Sequence, residues 1–191
     1  MKRMLTTVLA GFAAATIAVS LGGMSPSFFK KMTKMVGGAA MYPSKNIVQN
    51  AIHSKDHTTL VAAVKAAGLV KTLESPGPFT VFAPTNEAFK KLPAGTVHTL
   101  LEPKNKGKLK NILTYHVVPG RLTTQDLRQK VKAGGGKAML KTAEGDDLTV
   151  EEKGGHLWII DGKGDKARIT ISNVMQSNGV IQVINKVMLP G

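Results

Sequence analysis

The order of hydrophobic periodicities predicts an α+β fold. Between residues 44 and 133 apolar residues recur mostly at helical spacing, and from Lys137 onward the period switches to two. No βαβ rhythm repeats along the chain. Helices first and then a run of strands point to helices packed on an antiparallel sheet system rather than a parallel α/β fold.

Each element has its own signal. Ser44 precedes "KNIVQNAI", where Ile47, Val48, Ala51 and Ile52 share a face, so a short capped helix is expected. Asp56 caps "HTTLVAAVKAAG", with Leu60, Val61, Val64 and Ala67 as its stripe and Gly68 as its stop. "FTVFA" is rich in β-formers and runs into Pro84, which suits a strand. Thr85 or Asn86 caps the next short helix, "EAFKKL", and another short helix fits residues 96–101. Residues 104–114 read as a helix with Leu109, Ile112 and Leu113 inward, and "HVVP" begins a strand. Thr124 caps "QDLRQKVKAGGG", which its glycines end. "KAMLKT", "DLTVEE", "HLWIID", "ARITIS" and "GVIQVINKVML" are then strands separated by glycine- and aspartate-bearing turns.

The N-terminus reads as an address. Lys2 and Arg3 precede a long uncharged apolar run that ends in small residues, with Ala18 and Ser20 at positions suited to cleavage. Residues 1–22 are therefore read as a secretory signal. An uncleaved anchor is the alternative, since Leu5 to Gly22 is nearly long enough to span a bilayer. Residues 23–40 are expected as a flexible basic linker jointed at Gly37-Gly38, and residues 41–190 as the folded domain. Localisation is expected to be secreted, periplasmic or in the cell envelope, with no integral span after cleavage and a monomeric state.

The absence of cysteine excludes disulfides, thiolate zinc sites and cysteine nucleophiles. The net charge of +14 favours acidic partners such as anionic lipid or acidic glycans. Between residues 104 and 141 ten basic residues face a single acid, Asp126, whereas Glu144, Asp146, Asp147, Glu151 and Glu152 cluster just beyond. Lys104, Lys106, Lys108, Lys110, Arg128, Lys130 and Lys132 are the candidate polyanion contacts; a solvated face is the plain alternative. Nucleic acid is not an expected partner, because aromatic residues make up 5% of the chain and do not interleave with the basic ones.

Catalytic and metal constellations are weak. His53 and His57 stand four apart, but Ser54 and Asp56 between them mark a helix break and no third ligand has a supportive spacing. There is no Gly-x-Ser-x-Gly elbow and no phosphate-binding loop. The expectation is a protein without cofactor, metal or enzymatic activity.

Two stretches carry a resemblance. "GPFTVFAPTNEAF" (77–89) and "ILTYHVVPG" (112–120) resemble the hallmark segments of the fasciclin domain; "ISNVMQSNGVIQVINKVMLP" (171–190) is similar to its closing strands, and residues 41–69 resemble its opening helices in bacterial secreted members. The resemblance implies a wedge of two β-sheets flanked by short helices, and adhesion through contacts with extracellular or envelope proteins. The residues of the first segment themselves read as a structural junction at Thr80, Val81, Phe82, Pro84, Thr85 and Asn86: a core strand that Pro84 ends for want of an N–H, followed by a cap for the next helix. In some animal members a Tyr-His pair and an Asp-Ile pair are implicated in integrin binding. Tyr115-His116 stands at the first place, while Asn173-Val174 stands at the second without a carboxylate, and no Arg-Gly-Asp occurs. Tyr115, His116, Asn173 and Val174 are thus candidates for partner contact or for structural pins. The residues themselves favour a pin at His116, because it stands between a helix and a strand, where an imidazole can bond through both ring nitrogens.

Overall fold

The computed structural model describes residues 33–191, so the signal segment and residues 23–32 of the expected linker lie outside the described residues. The rest of that linker is ordered. β1 (Lys34–Val36) and β2 (Ala39–Met41) pair as an antiparallel hairpin. Gly37 and Gly38 form its turn with φ of +56° and +76°, the left-handed values that a tight two-residue hairpin turn requires. The segment is no free joint, because Val36 and Met41 are buried in the core and Lys55 N–H donates to the Gly37 carbonyl at 3.0 Å.

Seven short helices follow: α1 (Ile47–Ala51), α2 (Thr58–Ala66), α3 (Val70–Glu74), α4 (Asn86–Lys90), α5 (Thr96–Leu101), α6 (Lys106–Tyr115) and α7 (Thr124–Ala133). Several caps differ from expectation: Asp56 lies inside a 3-10 turn and does not cap α2, which follows His57 without a side-chain cap of its own. α1 starts at Asn46, which forms a reciprocal capping box with Gln49, rather than at Ser44. α7 is capped by Thr123, whose box partner Asp126 sits three residues on, one position earlier than read from the sequence. Local propensity cannot separate adjacent Ser, Thr and Asn caps; the turn that the tertiary contacts impose does so.

β3 (Phe79–Pro84) and β4 (Val117–Pro119) lie among the helices in sequence, and β5 (Lys137–Lys141), β6 (Asp147–Lys153), β7 (His156–Ile160), β8 (Lys166–Gln176) and β9 (Gly179–Ile184) follow. They hydrogen-bond in the order β4-β3-β9-β8-β7-β6-β5. The sheet departs from a wholly antiparallel one at a single place: β3 pairs with β9 in parallel, Phe79 opposite Gly179 and Pro84 opposite Ile184. Parallel neighbours need a long crossover, and here nearly a hundred residues separate them.

The register of β8 slips between Ile169 and Val174, where Asn173 takes φ +53°. Bulges of this kind bend a strand. β8 consequently pairs with β7 through its first residues and with β9 through the rest, folding the sheet into the two halves of a wedge. At the far side Ala143 N–H donates to the Val117 carbonyl at 2.7 Å, so the two end strands approach each other.

Alternation along β3 serves two cores. Val81 and Ala83 face a cluster with Ile47, Leu60, Leu73, Phe89 and Ile112, under the helices. Phe82 faces a second cluster with Leu127, Leu148, Val150, Ile159 and Met188, inside the wedge. A strand covered on both faces reads as a continuous apolar run, which is the character of "TVFA". Among the described residues no helix is long and apolar enough to cross a membrane.

Candidate functional site

The junction between α6 and β4 carries the Tyr115-His116 pair. Leu109, Ile112 and Leu113 bury one face of α6, and this places Tyr115 and His116 at its end, almost wholly out of solvent. His116 Nδ1 lies 2.8 Å from the Ile112 carbonyl, and its Nε2 lies 3.0 Å from the backbone nitrogen of Met188. A carbonyl can only accept and an amide N–H can only donate. The ring is therefore the neutral tautomer with the proton on Nδ1, donating to Ile112 and accepting from Met188. Burial drives its pKa down to about 4, although the Ile112 carbonyl and the Asp161 charge partly oppose the shift.

Tyr115 bridges in the other direction. Its hydroxyl donates to the Asp147 carbonyl at 2.9 Å and accepts from Gly162 N–H at 3.0 Å. Burial raises its pKa, the Gly162 bond opposes the shift, and nearby acids led by Asp161 add to it. The pair thus joins the helix end to β6, to the turn after β7 and to the C-terminal segment.

The second pair also faces inward. Asn173 Oδ1 accepts from Thr124 N–H at 2.8 Å, its Nδ2 donates to Thr124 Oγ1 at 2.9 Å, and its own N–H donates to Gln182 Oε1 at 2.9 Å. The side chain that stands at an implied contact position anchors α7 to the bulge of β8. Val174 is 1% exposed and packs under the helices.

The 77–89 segment joins elements too. Thr80 Oγ1 donates to the Gly120 carbonyl at 2.7 Å and accepts from Leu122 N–H at 2.8 Å. Thr85 caps α4, accepting from Ala88 N–H at 3.2 Å. Asn86 instead serves α2: its Oδ1 accepts from Thr59 N–H at 3.0 Å and from Thr58 Oγ1 at 3.2 Å, and its Nδ2 donates to the Lys55 carbonyl at 2.8 Å. The two adjacent residues left open as caps for one helix serve two different helices.

The basic candidates are all exposed, but they do not act alike. Lys104 is paired with Glu102 at 2.8 Å and Arg128 with Glu152 at 2.9 Å. Lys106, Lys108, Lys110, Lys130 and Lys132 make no ion pair among the described residues. They divide between α6, which packs on α2 and α5, and α7, which packs on β5 and β6. The acidic cluster is partly neutralised, since Lys141 meets Asp147 at 3.4 Å and Lys166 meets Glu151 at 2.6 Å.

His53 is exposed while His57 is buried, and among the described residues no group of three or more ligating side chains gathers for a metal. Sequence reasoning weighed His57 only as a metal ligand. The structure gives it a different setting: Nδ1 lies 2.9 Å from Ser54 Oγ, and burial lowers its pKa. The available signal was Ser54 three residues before His57 in a helix break. Both residues line a cavity of about 110 Å³ between the helices and the sheet, walled by Ile47, Leu60, Val64 and Val81 among others, with His116 and Val174 also on its wall.

Comparison with known proteins agrees with this architecture. The insect cell adhesion molecule fasciclin I, solved as a FAS1 domain pair, superposes with a TM-score of 0.68 at 22% identity, over 78% of this chain and 52% of that one. Protein sll1483 of Synechocystis is 45% identical over 96% of this chain and 93% of its own length. Immunogenic protein MPB70 of Mycobacterium bovis is 31% identical over the whole chain and 99% of its own. The transforming growth factor-beta-induced protein ig-h3 of Sus scrofa is 39% identical over 69% of this chain, which spans 17% of that protein. The Fasciclin domain matches residues 55–190, the stretch that holds both hallmark segments and all of the wedge, and the chain belongs to the fasciclin domain family.

Proposed function

We propose that this chain is an exported, non-enzymatic interaction module that mediates adhesion through protein contacts at the cell surface or in the extracellular space. The observation that carries the reading is the family match over residues 55–190, supported by a fold shared with an insect cell adhesion molecule. Tyr115, His116, Asn173 and Val174 act in this reading as structural pins, since the buried three offer a partner no surface and the Asn173 side chain is engaged with Thr124. Contact then falls to exposed elements. One is the end strand β5, where Met139 stands 71% exposed between Lys137 and Lys141. Lysines on an edge strand deter indiscriminate strand pairing while leaving the side-chain face open to a selected partner. Attachment of a deletion strain, its parent and a complemented strain to surfaces and to other cells tests the proposal. Reduced attachment restored by complementation is expected, and unchanged attachment on every surface and partner overturns it.

A second reading is electrostatic binding of acidic polysaccharide or an anionic envelope. It is favoured by the unpaired exposed lysines of α6 and α7, and it is salt-sensitive by nature.

A further inference from the structure

Alternation sorts the strands of the wedge into two faces. Ala138, Leu140, Leu148, Val150, Leu157 and Ile159 point inward, and α7 packs on that side through Leu127 and Val131. Successive strand residues point to opposite sides, so Lys137, Met139, Thr149, Glu151, Trp158 and Ile160 lie on the outer face. Met139 is 71% exposed there, and Trp158, the only tryptophan of the chain, is half-buried.

The strand register lines up four of these outer side chains in one row. Lys137 stands opposite Glu151, Glu151 opposite Trp158, and Trp158 opposite Arg168. Three strand spacings make the row about 14 Å long. Both acids of this face are already paired. Lys166 reaches diagonally across β7 to Glu151 at 2.6 Å, and Lys141 meets Asp147 at 3.4 Å. The cations at the two ends of the row, Lys137 and Arg168, have no side-chain hydrogen bond or ion pair among the described residues. The face therefore offers its uncompensated charge to an anion.

Trp158 restricts the kind of anion. Its Nε1–H reaches back to the Lys153 carbonyl at 3.4 Å, which lays the indole along the sheet. A ring in that posture turns a face to solvent, and the negative π-face attracts the slightly positive C–H face of a sugar ring. Arg168 beside it carries a fork that matches a carboxylate. A bilayer suits the face less well, because it would strip water from the Lys166–Glu151 pair at a high cost; a hydrated glycan leaves that pair wet. We propose that the outer face of β5–β8 binds a carboxylate-bearing polysaccharide, one sugar stacking on Trp158 with its carboxylate on Arg168 and a second carboxylate at Lys137. The inference rests on the acidic-polysaccharide reading and moves its centre from the helix lysines to the sheet.

Since Trp158 is the only tryptophan, its fluorescence reports this face alone. Titration of the full chain with hexagalacturonate is expected to change the emission saturably, with an affinity about tenfold above those of neutral maltohexaose and of hexaglutamate. Arg168→Gln keeps the fluorophore and should weaken hexagalacturonate binding about tenfold. Changing Lys106, Lys108 and Lys110 together to Ala should leave this titration as it was. The absence of a saturable change with hexagalacturonate overturns the sheet site. Retention on an acidic polysaccharide column would then keep the broader reading alive, and loss of retention would remove both. Equal affinity for hexaglutamate overturns the sugar, and equal affinity for maltohexaose overturns the role of charge. Tighter binding to phosphatidylglycerol vesicles, read by the same emission, assigns the face to a membrane and overturns the glycan. The ligand comparisons use the unaltered protein, so they decide even where a substitution prevents folding.

Discussion

His116 Nε2 accepts the backbone N–H of Met188 at 3.0 Å across 72 positions of sequence. The bond ties the end of α6 to the C-terminal segment, and Met188 is itself fully buried inside the wedge. Because Nδ1–H is engaged with Ile112, the ring cannot take a second proton without turning an N–H against an N–H.

A pH dependence follows from this geometry. The folded pKa of His116 is about 4 against an ordinary 6.5. Between those values the unfolded chain binds a proton that the native state refuses, so stability is fully present above pH 6.5 and falls as pH drops towards 4. The loss from this group is about 3 kcal/mol. Burial of His57 lowers its pKa as well and acts with the same sign. Urea unfolding at several pH values across this window, for the parent and His116→Gln, checks the point. The variant should be less stable at pH 7 and lose less on acidification; parallel pH profiles would contradict the assignment.

Tyr115→Phe should lower stability by about 1–3 kcal/mol. The ring still fits, but the Asp147 carbonyl and the Gly162 N–H both lose their bridging hydroxyl. Coincident denaturation curves for parent and variant would show that other groups satisfy them.

Asn86→Ala should cost about 1–2 kcal/mol, as loss of a helix cap does. The effect belongs to α2 rather than to α4, since the Asn86 amide holds Thr59 N–H and the Lys55 carbonyl. Amide hydrogen exchange is expected to quicken at the start of α2 while the α4 amides stay as protected as before. Faster exchange confined to α4 would refute the assignment.

Changing Lys106, Lys108 and Lys110 together to Ala should lower the salt needed to elute the protein from an acidic polysaccharide column. The thermal midpoint should stay within about 1 kcal/mol of the parent in stability terms, because exposed positions away from special contacts tolerate change. Lys104→Ala and Arg128→Ala should move elution less, since each charge already has a carboxylate partner. Identical elution of the triple variant removes α6 from the electrostatic reading.

Much of the local architecture is legible before folding. The helices at 96–101 and 106–115 and the strands from 137 onward stand close to where periodicity places them. The hairpin at 34–41 is not legible, because its two strands have three residues each and two glycines read equally well as a joint. α3 has only five residues, too few for a helical stripe to register. In the candidate site, the junction position of His116 foretold two ring bonds, but nothing near it in sequence marked Met188 as the second partner.

What the sequence by itself determined is whatever depends on neighbours within a turn or a pleat: the α+β order, the helix faces, the strand at "FTVFA", the absence of thiol chemistry and the family motifs. Only the tertiary structure decided the parallel pairing of β3 with β9, the bend of β8 at Asn173, the tautomer of His116 and the cavity beneath the helices. The division has a physical cause. Periodicity records which face of a segment is apolar, whereas pairing, protonation and voids are set by which distant segments close over that face and how well their side chains fill the space between them.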